Sequence, residues 1–329
     1  MLFCMIPCDI SMDRTPLVSI LCTAYNHGAY IRHTLEGFLS QRVTFPYEVI
    51  VHDDASTDTT QAMIRAHEEE HPGIIRGIYQ VENQHSIARG RVAEILYSSA
   101  RGKYIALCEG DDQWIDPDKL QRQVDALEAD DQAMGCFTDA YNERNGERVR
   151  YMAGYGHAPT GLVGQAEIIA GQGIPTCTFI FRRIPLEGFY ALRKISPVGD
   201  TILFTYLTEH GHFIYQPQIT GVRVMHPGGI HSLTSEAHKK KVYLTTLPIL
   251  DKMTHGRHRA IIEDRRNSVL LAAWSAAIAA GDRELARIAW PHIARQRKRF
   301  GWNITTTARN FMKAYFPALE STFSRIFRR

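Results

Sequence analysis

The sequence predicts an α/β protein in which a mostly parallel β-sheet is flanked by helices. Short apolar runs alternate with segments of helical periodicity through residues 16–140, which is the pattern of repeated strand–helix units. With 44% apolar and 22% charged residues, the composition is that of a globular chain and excludes an intrinsically disordered one. The length of 329 residues is sufficient for one large domain or two.

Five short apolar runs in this first part of the chain are predicted as strands buried on both faces of the sheet. They cover residues 17–23, 47–51, 74–79, 104–108 and 133–137. The segments between them predict helices. Ile31, Leu35 and Phe38 share one face of a first helix. A further helix is predicted over 87–99, and another begins at residue 116, with a proline in its first turn.

The rest of the chain is less regular. Residues 145–175 are rich in glycine and are predicted as surface loops, and the pattern is helical from residue 236 onward. Between these segments, the sequence predicts a strand that returns to the sheet at 177–182, a helix at 200–211 and a second strand at 213–226. Further along, it predicts a pair of packed helices at 269–280 and 285–290.

Charge and cysteine content exclude several classes of protein. Lys and Arg number 38 against 35 Asp and Glu, and this formal charge of +3 is too balanced for a protein dominated by nucleic-acid binding. The six cysteines include no C-x-x-C pair, which favours free thiols in a reducing compartment over a zinc site or a disulfide framework. Residues 1–12 lack the pattern of a signal peptide. The most apolar stretch, 269–280, is shorter than the ~20 residues of a membrane-spanning helix.

Polar residues follow three of the predicted strands, at 23–26, 53–56 and 109–114. The carboxyl ends of parallel strands meet at one edge of a sheet, where ligands bind. A lone Asp pair at such a place is explained by helix capping or by a turn. Several acidic clusters repel one another and therefore predict a cation, and their oxygen ligands favour Mg²⁺ or Mn²⁺ bridging phosphates. The sequence contains no glycine-rich phosphate loop of the dehydrogenase or P-loop type.

The motifs that carry a resemblance are VSI at 18–20, TAYN at 23–26, EVIVHDDASTD at 48–58, GKYIA at 102–106, EGDDQW at 109–114, DPDKLQ at 116–121, GD at 199–200 and HPGG at 226–229. In this order they resemble family 2 glycosyltransferases, and the resemblance covers residues 16–232. It implies an A-type nucleotide-diphospho-sugar transferase fold with a Rossmann-like sheet. It also implies an inverting sugar transfer, of the kind that builds bacterial envelope polysaccharides.

Donor-binding residues are implied at the first two strand ends. Thr23 and Tyr25 would border the nucleotide base, and Asn26 is also expected among the donor-binding residues. Asp53, or its neighbour Asp54, would hydrogen-bond the base or the ribose. These roles are carried over from the position of each residue in the family's motifs.

The metal site and the chemistry are implied at the later motifs. Asp111 would hold the metal through which the diphosphate is bound, and Glu109 stands where the family has an Asp. His226 would lie near the diphosphate and the metal, and Asp112 would hold the sugar or support the metal. Asp200 matches the general base that removes the proton of the acceptor hydroxyl. A base on the face opposite the leaving group gives inversion in a single displacement.

Three of the candidate residues also have ordinary structural explanations. Trp114, beside the acids, would either stack on a sugar or lie in the core beneath the loop. Asp200 would act as the base or simply cap the helix that follows it. His226 would bind the metal or simply occupy a turn. A Tyr-Arg pair precedes this histidine in similar sequences, whereas residues 223–225 of this chain are Arg-Val-Met.

The motifs predict an N-terminal extension at residues 1–15, a catalytic domain at 16–235 and a C-terminal helical region at 236–329. The catalytic domain would have a nucleotide-sugar-binding half, 16–140, and an acceptor-side half, 141–235. The last region ends in a basic tail, because residues 287–329 contain ten Lys or Arg and one acid, Glu320. The tail is either a solvated helix or an interfacial helix on an anionic membrane surface. The protein is therefore expected in the cytoplasm, either free or on the cytoplasmic face of the membrane.

Three functions are compatible with these patterns. The first is a metal-dependent transferase that moves a sugar from a nucleotide-diphospho-sugar donor to a glycan or lipid-linked acceptor in cell-surface polysaccharide synthesis. The second is a non-catalytic nucleotide-sugar-binding or scaffold protein, which is compatible with Glu109 standing where the family has an Asp. The third is a sugar-phosphate nucleotidylyltransferase, which would need a basic glycine-rich loop that residues 23–26 do not provide.

Overall fold

The computed structural model describes residues 15–155, 158–229 and 234–295. These residues divide into two compact units. The first, here called the sheet unit, takes the described residues of Met1–Gly164, Gly173–Tyr190 and Leu207–Met225. The second, here called the helical unit, takes Gln165–Gln172, Ala191–Tyr206 and the described residues from His226 onward.

A ten-stranded sheet forms the centre of the sheet unit. Its strands are β1 (Val18–Ala24), β2 (Tyr47–Asp53), β3 (Ile75–Tyr79), β4 (Tyr104–Glu109), β5 (Gln113–Trp114), β6 (Ala133–Arg144), β7 (Glu147–Arg150), β8 (Leu162–Val163), β9 (Ile180–Arg182) and β10 (His212–Val224). Their order across the sheet is β3-β2-β1-β4-β9-β6-β10-β5, with β7 paired to β6 and β8 paired to β10.

Six of these strands run in one direction. β3, β2, β1 and β4 pair in parallel, and β6 and β10 are parallel to each other. β9 lies antiparallel between β4 and β6, so that β6 runs in the same direction as β4. The carboxyl ends of all six strands therefore meet at one side of the sheet, here called the carboxyl edge. The predicted α/β class is confirmed, and the parallel pairing holds up to β4, beyond which the sheet is mixed.

The helices are α1 (Ile31–Leu39), α2 (Thr60–Glu70), α3 (Gln84–Ile87), α4 (Arg91–Ser99), α5 (Lys119–Ala129), α6 (Gln165–Ala170), α7 (Glu187–Ile195), α8 (Asp200–Leu207), α9 (Glu236–Met253), α10 (Arg259–Ala280) and α11 (Arg283–Arg295). The prediction of one helix over 87–99 is wrong. Ala88 is extended, with φ −154°, and Gly90 has φ 84°, a left-handed conformation that glycine adopts without strain. The chain therefore ends α3 and begins α4 separately.

The segment predicted as loops at 145–175 is only partly irregular. It contains β7, which forms a hairpin with β6, and also β8 and α6. The returning strand predicted at 177–182 is shorter than expected, because a 3₁₀ turn at Thr176–Thr178 precedes β9. The Thr178 hydroxyl donates to the carbonyl oxygens of Pro175 and Thr138, at 3.0 and 2.9 Å, and stabilises this turn against β6.

The core of the sheet unit follows the apolar periodicity. Ile31, Leu35 and Phe38 form the inner face of α1 and are completely buried. Burying such side chains contributes roughly 1.5–3 kcal/mol each to folding. The cysteines that the structure describes are all buried free thiols, as the absence of a C-x-x-C pair predicts; they are Cys22, Cys108, Cys136 and Cys177.

The helical unit is held by contacts between its long helices. The rings of Trp274 on α10 and Trp290 on α11 have centroids 5.6 Å apart. Lys241 Nζ of α9 lies 3.0 Å from Asp282 Oδ2 and 2.6 Å from Glu284 Oε2. The predicted pairing of two helices in this region is confirmed, although both are longer than predicted. Within the described ranges, no helix is both long and apolar enough to cross a bilayer. Most of the basic tail lies outside the described residues.

Candidate functional site

The turn after β4, residues 109–112, is fixed against the end of β1 at the carboxyl edge. The Gly110 amide donates to the Thr23 carbonyl at 2.8 Å, and the Asp112 amide donates to the Glu109 carbonyl at 3.1 Å. A Cβ atom at Gly110 would lie 3.0 Å from Ile31 Cδ1 and 3.1 Å from the Thr23 carbonyl oxygen. A side chain here would press on both neighbours, and the close approach places the acids of the turn beside the polar residues that follow β1.

Three carboxylates of this turn, here called the acidic turn, concentrate negative charge. Asp112 is nearly completely buried, and its Oδ1 accepts from the Val224 amide at 3.0 Å. Burial raises the pKa of Asp112 well above its ordinary value, and the charges of Glu109 and Asp111 raise it further. The charge of Arg223, at the end of β10, opposes this increase. Because the carboxylates disfavour one another's ionised form, a cation would stabilise the group.

His27 is a neighbour of the acidic turn that the motifs did not identify. Its Nε2 lies 3.8 Å from Asp111 Oδ2, and both side chains are 16% exposed. Carboxylate oxygens with an imidazole nitrogen form a ligand set that suits Mn²⁺ and is compatible with Mg²⁺. The residues therefore fit the predicted divalent ion. A single histidine in a loop gives no metal signal by itself, so only the fold reveals its proximity to Asp111.

In the loop after β2, the carboxylates accept hydrogen bonds from amide groups, unlike the mutually repelling acids of the acidic turn. Asp54 Oδ1 accepts from the Gln84 amide at 2.6 Å, and Asp54 Oδ2 accepts from the His85 amide at 3.0 Å. Asp53 is fully buried, and its Oδ2 accepts from Gln61 Nε2 at 3.3 Å. Its Oδ1 has no hydrogen-bond partner among the described residues. Of the two candidates for base or ribose binding, Asp53 retains an acceptor oxygen, whereas Asp54 is engaged by backbone amides at the start of α3.

The loop after β1 contains one exposed aromatic residue and one residue used for structure. Asn26 adopts φ 54°, and its Oδ1 accepts from the Thr57 amide at 2.8 Å. Its own amide donates to Ser56 Oγ at 2.9 Å. The Asn26 side-chain oxygen joins this loop to the loop after β2, and donor binding by this residue stays a prediction. Tyr25 is 47% exposed and remains a candidate for contact with a base.

Trp114 is a core aromatic residue, so the expectation that it stacks on a sugar is corrected. Only 4% of it is exposed. Its Nε1 donates to the Cys177 carbonyl at 2.5 Å, and its ring lies edge-on to Phe38 with centroids 4.7 Å apart. Lys119 Nζ lies 3.9 Å from the centroid of the same ring and donates to Gln123 Oε1 at 2.8 Å. Complete burial lowers the pKa of Lys119 to about 8.

Arg223 lies at the end of β10 and is oriented by two contacts within the sheet unit. Its Nη1 donates to Asn142 Oδ1 at 3.1 Å, and its Cζ lies 5.2 Å from the centroid of the Tyr151 ring. The next residue, Val224, donates its amide to Asp112. The end of β10 and the acidic turn are therefore linked through a buried carboxylate.

Asp200 and His226 belong to the helical unit. Asp200 is exposed at the start of α8, and its Oδ1 accepts from the Thr201 amide at 2.6 Å. This contact reaches only the next residue, and the Gly199 carbonyl accepts the first helical bond, from the Leu203 amide, so the contact is not a helix cap formed by Asp200. The His226 carbonyl accepts from the Gly229 amide at 3.0 Å, which forms the turn of the HPGG motif. The chemical roles of both side chains remain predictions.

Two solved structures share this fold. Mannosyltransferase PcManGT from Pyrobaculum calidifontis, in complex with GDP-Man and Mn²⁺, has a TM-score of 0.56, covers 97% of this chain and 89% of its own, and is 18% identical. S. aureus TarS 1–349, in complex with UDP-GlcNAc, has a TM-score of 0.59, with 94% and 89% covered at 15% identity. At these identities the likeness concerns the fold, and the fold class is that of A-type glycosyltransferases.

The sequence assigns the chain within that class. Residues 19–188, more than half of the chain, match the family model described as Glycosyl transferase family 2, and the chain belongs to this family. Rv1520 of Mycobacterium tuberculosis, itself uncharacterized, is 43% identical over 120 residues, which are 36% of this chain and 34% of Rv1520. TuaG of Bacillus subtilis, provisionally named a teichuronic acid biosynthesis glycosyltransferase, is 35% identical over 114 residues, which are 34% of this chain and 42% of TuaG. The match with the first of these relatives spans about a third of the relative's length.

Proposed function

We propose that this protein is an inverting glycosyltransferase that moves a sugar from a nucleotide-diphospho-sugar donor to a glycan or lipid-linked acceptor. The acidic turn at the carboxyl edge is the observation that carries the proposal. Asp112 is buried, and the charges of Glu109 and Asp111 both raise its pKa. Such a group is costly to a fold unless it serves a positively charged ligand.

The donor nucleotide is proposed to lie over the loops after β1 and β2. Tyr25 offers an exposed ring, and Asp53 offers an acceptor oxygen that no described residue occupies. Thr23 lies between them and the acidic turn, since its carbonyl accepts from the Gly110 amide. An aromatic face and a single acceptor suit a nucleobase with an N–H group, and both GDP-Man and UDP-GlcNAc, bound by the structural neighbours, carry such a base.

A divalent ion, Mg²⁺ or Mn²⁺, is proposed to be held by Asp111 and Glu109, with His27 as a further candidate from the fold and His226 from the resemblance. When bound, such an ion neutralises the charge that develops on a departing diphosphate. Asp112 would support this group from below, because its carboxylate is fixed to the Val224 amide. The chain's own contribution is to hold the acids together and to exclude water from Asp112.

Asp200 is proposed to accept the proton of the acceptor hydroxyl. A hydroxyl is a poor nucleophile, and a carboxylate within hydrogen-bond reach activates it as the new glycosidic bond forms. Attack from the face opposite the leaving diphosphate inverts the anomeric centre. The exposure of Asp200 at the start of α8 is compatible with contact to an acceptor.

Cell-surface polysaccharide synthesis is proposed as the setting, because TuaG carries the name of such a pathway. The cytoplasmic location and the membrane contact of the basic tail belong to the same proposal. We expect the full chain to bind vesicles that contain anionic lipid and a chain truncated after Ala294 to bind them less. Equal binding of both chains in a sedimentation assay would remove the membrane contact from the proposal.

The donor is identified by a thermal-shift screen of nucleoside diphosphates and their sugars, with and without Mn²⁺. We expect one nucleotide to raise the melting temperature of the full chain in the presence of Mn²⁺ only. A ligand at 100 times its Kd stabilises a protein by about 2.7 kcal/mol, which such a screen detects. Asp111→Asn should remove the shift, whereas Asp131→Asn, at an exposed acid, should not. No shift with any nucleotide, or an equal shift in Asp111→Asn, contradicts the proposal.

A further inference from the structure

Helix α1 contacts the backbone of the acidic turn through one buried hydroxyl. Thr34 is completely buried, and its Oγ1 lies 3.0 Å from the Gly110 carbonyl oxygen and 2.7 Å from the Asp112 carbonyl oxygen. These two carbonyl groups are the ones on either side of Asp111. A single side chain on a neighbouring helix therefore fixes the backbone before and after the residue proposed to hold the metal.

The same side of α1 continues these backbone contacts beyond the turn. A Cβ atom at Gly37 would lie 2.8 Å from the Trp114 carbonyl oxygen, so glycine is required for this approach. Gln41, just after the helix, donates from Nε2 to the Asp116 carbonyl at 2.9 Å and accepts from the Leu120 amide at 3.1 Å. Positions 34, 37 and 41 follow the spacing of one helical face.

The contacts share a property that distinguishes them from ordinary packing. The Thr34 hydroxyl and the Gln41 amide bond to main-chain atoms of the opposite segment, and Gly37 is close to a main-chain atom. These contacts set the path of the chain and leave the choice of side chains on the turn unconstrained. Buried carbonyl groups need hydrogen-bond partners, and the hydroxyl supplies one for this pair.

We infer that Thr34 is a positioning residue: its hydroxyl holds the backbone on both sides of Asp111 and thereby presents the acidic turn in the geometry that binds the metal and the donor. The positional part of this inference rests on the contacts above. The consequence for metal binding rests on the proposed function. Residues that orient metal ligands typically affect metal affinity 10–100-fold when they are replaced.

Thr34→Val tests the inference, because valine has nearly the shape of threonine and lacks the hydroxyl. Thr246→Val is the matched control, since among the described residues the buried Thr246 hydroxyl donates only to the Val242 carbonyl of its own helix, at 2.9 Å. Thr34→Ser keeps the hydroxyl and removes only the methyl group. If Thr34→Val does not fold, Thr34→Ala and Thr34→Ser provide a second pair that differs by the hydroxyl and can be compared in the same way.

The first measurement is amide hydrogen exchange in peptides covering residues 108–114 of the metal-free full chain. We expect exchange at least about 10-fold faster in Thr34→Val, and unchanged in Thr34→Ser and Thr246→Val, because the turn opens locally when its anchor is lost. The second is Mn²⁺ binding followed by electron paramagnetic resonance, with about 10–100-fold weaker binding expected in Thr34→Val.

The outcomes separate this inference from the proposed function. Unchanged exchange in a folded Thr34→Val overturns the positioning role, whatever the activity. Faster exchange with unchanged Mn²⁺ affinity overturns its consequence for the metal. Faster exchange in the variant, together with absence of Mn²⁺ and nucleotide binding by the unaltered protein, supports the positional contact and contradicts the proposed function.

Discussion

The ends of β2 and β4 look alike in the sequence and differ in the structure. An Asp-Asp pair stands at the end of each strand, at 53–54 where β2 ends and at 111–112 just after β4. After β2, both carboxylate oxygens of Asp54 accept hydrogen bonds from backbone amides, and the Asp58 carboxylate accepts one from the Gly28 amide at 2.9 Å. After β4, the described contacts of Asp112 include one amide, and its other neighbours are acids and one arginine.

This difference appears in the direction of the pKa shifts. Burial raises the pKa of Asp58, but the bonds from Thr60 and the Gly28 amide outweigh it, and the net pKa lies below the ordinary value. Burial and neighbouring acids both raise the pKa of Asp112. Acids that are supplied with amide donors stabilise the fold when ionised, whereas acids that face one another need a ligand. The comparison predicts that Asp54 serves the fold, whereas the acids after β4 respond to a cation.

The largest effect is expected from Asp111→Asn. Loss of one carboxylate from the acidic turn should lower sugar transfer at least about 100-fold, because the charge that holds the divalent ion is reduced. The urea midpoint of the metal-free protein should change far less than the activity, because the charge of Asp111 acts against the ionised form of the buried Asp112. Activity and unfolding are measured on the same preparation, with the exposed Asp131→Asn as the control. A variant that is active but unstable would reverse the comparison.

Asp54→Ala should show the opposite pattern. It leaves the Gln84 and His85 amides without their acceptor, at an expected cost of about 2–4 kcal/mol in the free energy of unfolding. Asp54→Asn retains one acceptor oxygen and should cost about half as much. Urea unfolding measures both. If Asp54→Ala left stability intact but abolished nucleotide binding, Asp54 rather than Asp53 would be the donor-binding carboxylate.

Asp112→Asn and Asp58→Asn should change stability in opposite directions. Neutralising Asp112 relieves repulsion from Glu109 and Asp111 while Asn keeps an acceptor for the Val224 amide, so the metal-free protein should gain about 1 kcal/mol. Neutralising Asp58 weakens favourable bonds on a largely exposed side chain and should give a smaller loss. Thermal unfolding without metal gives both signs. A stability change of the same sign in both variants would show that the ends of β2 and β4 are electrostatically alike.

The smallest effect concerns His52, beside Asp53 in β2. Its ring nitrogens have no hydrogen-bond partner among the described residues, and burial lowers its pKa, although Asp54 and Asp53 oppose the shift. Below its ordinary pKa of 6.5 the unfolded chain binds a proton that the folded chain does not, so acidification costs stability. Stability should therefore fall more steeply from pH 7 to pH 5 in the unaltered protein than in His52→Val. Parallel pH profiles would show that the end of β2 tolerates the charged imidazole.

Much of the sheet unit was predictable because it depends on local patterns. The apolar runs at 17–23 and 104–108 identify β1 and β4, and the carboxyl-edge rule places the acids. The break at Ala88–Gly90 was missed, since glycine in a helical pattern gives only a weak signal. The antiparallel β9 was not predictable, because its direction is set by its neighbours β4 and β6 rather than by its own three residues.

The candidate site was predictable as a set of residue types and not as a set of contacts. Glu109, Asp111 and Asp112 were identified from their place after a strand. The structural use of Asn26 depends on the Thr57 amide, 31 positions away, and the burial of Trp114 depends on Cys177, 63 positions away. Such pairs leave no periodicity in the sequence. Thr34 was missed for the same reason, as its partners lie 76 and 78 positions away.

The buried thiols can report when the sheet unit opens locally. Cys22, Cys108, Cys136 and Cys177 all belong to that unit, and the described part of the helical unit contains no cysteine. Burial raises the pKa of all four thiols, and alkylating reagents attack the thiolate. Labelling at these positions therefore requires the structure around each thiol to open first. Pulsed alkylation followed by peptide mapping would time the opening of the sheet alone, with and without a bound nucleotide.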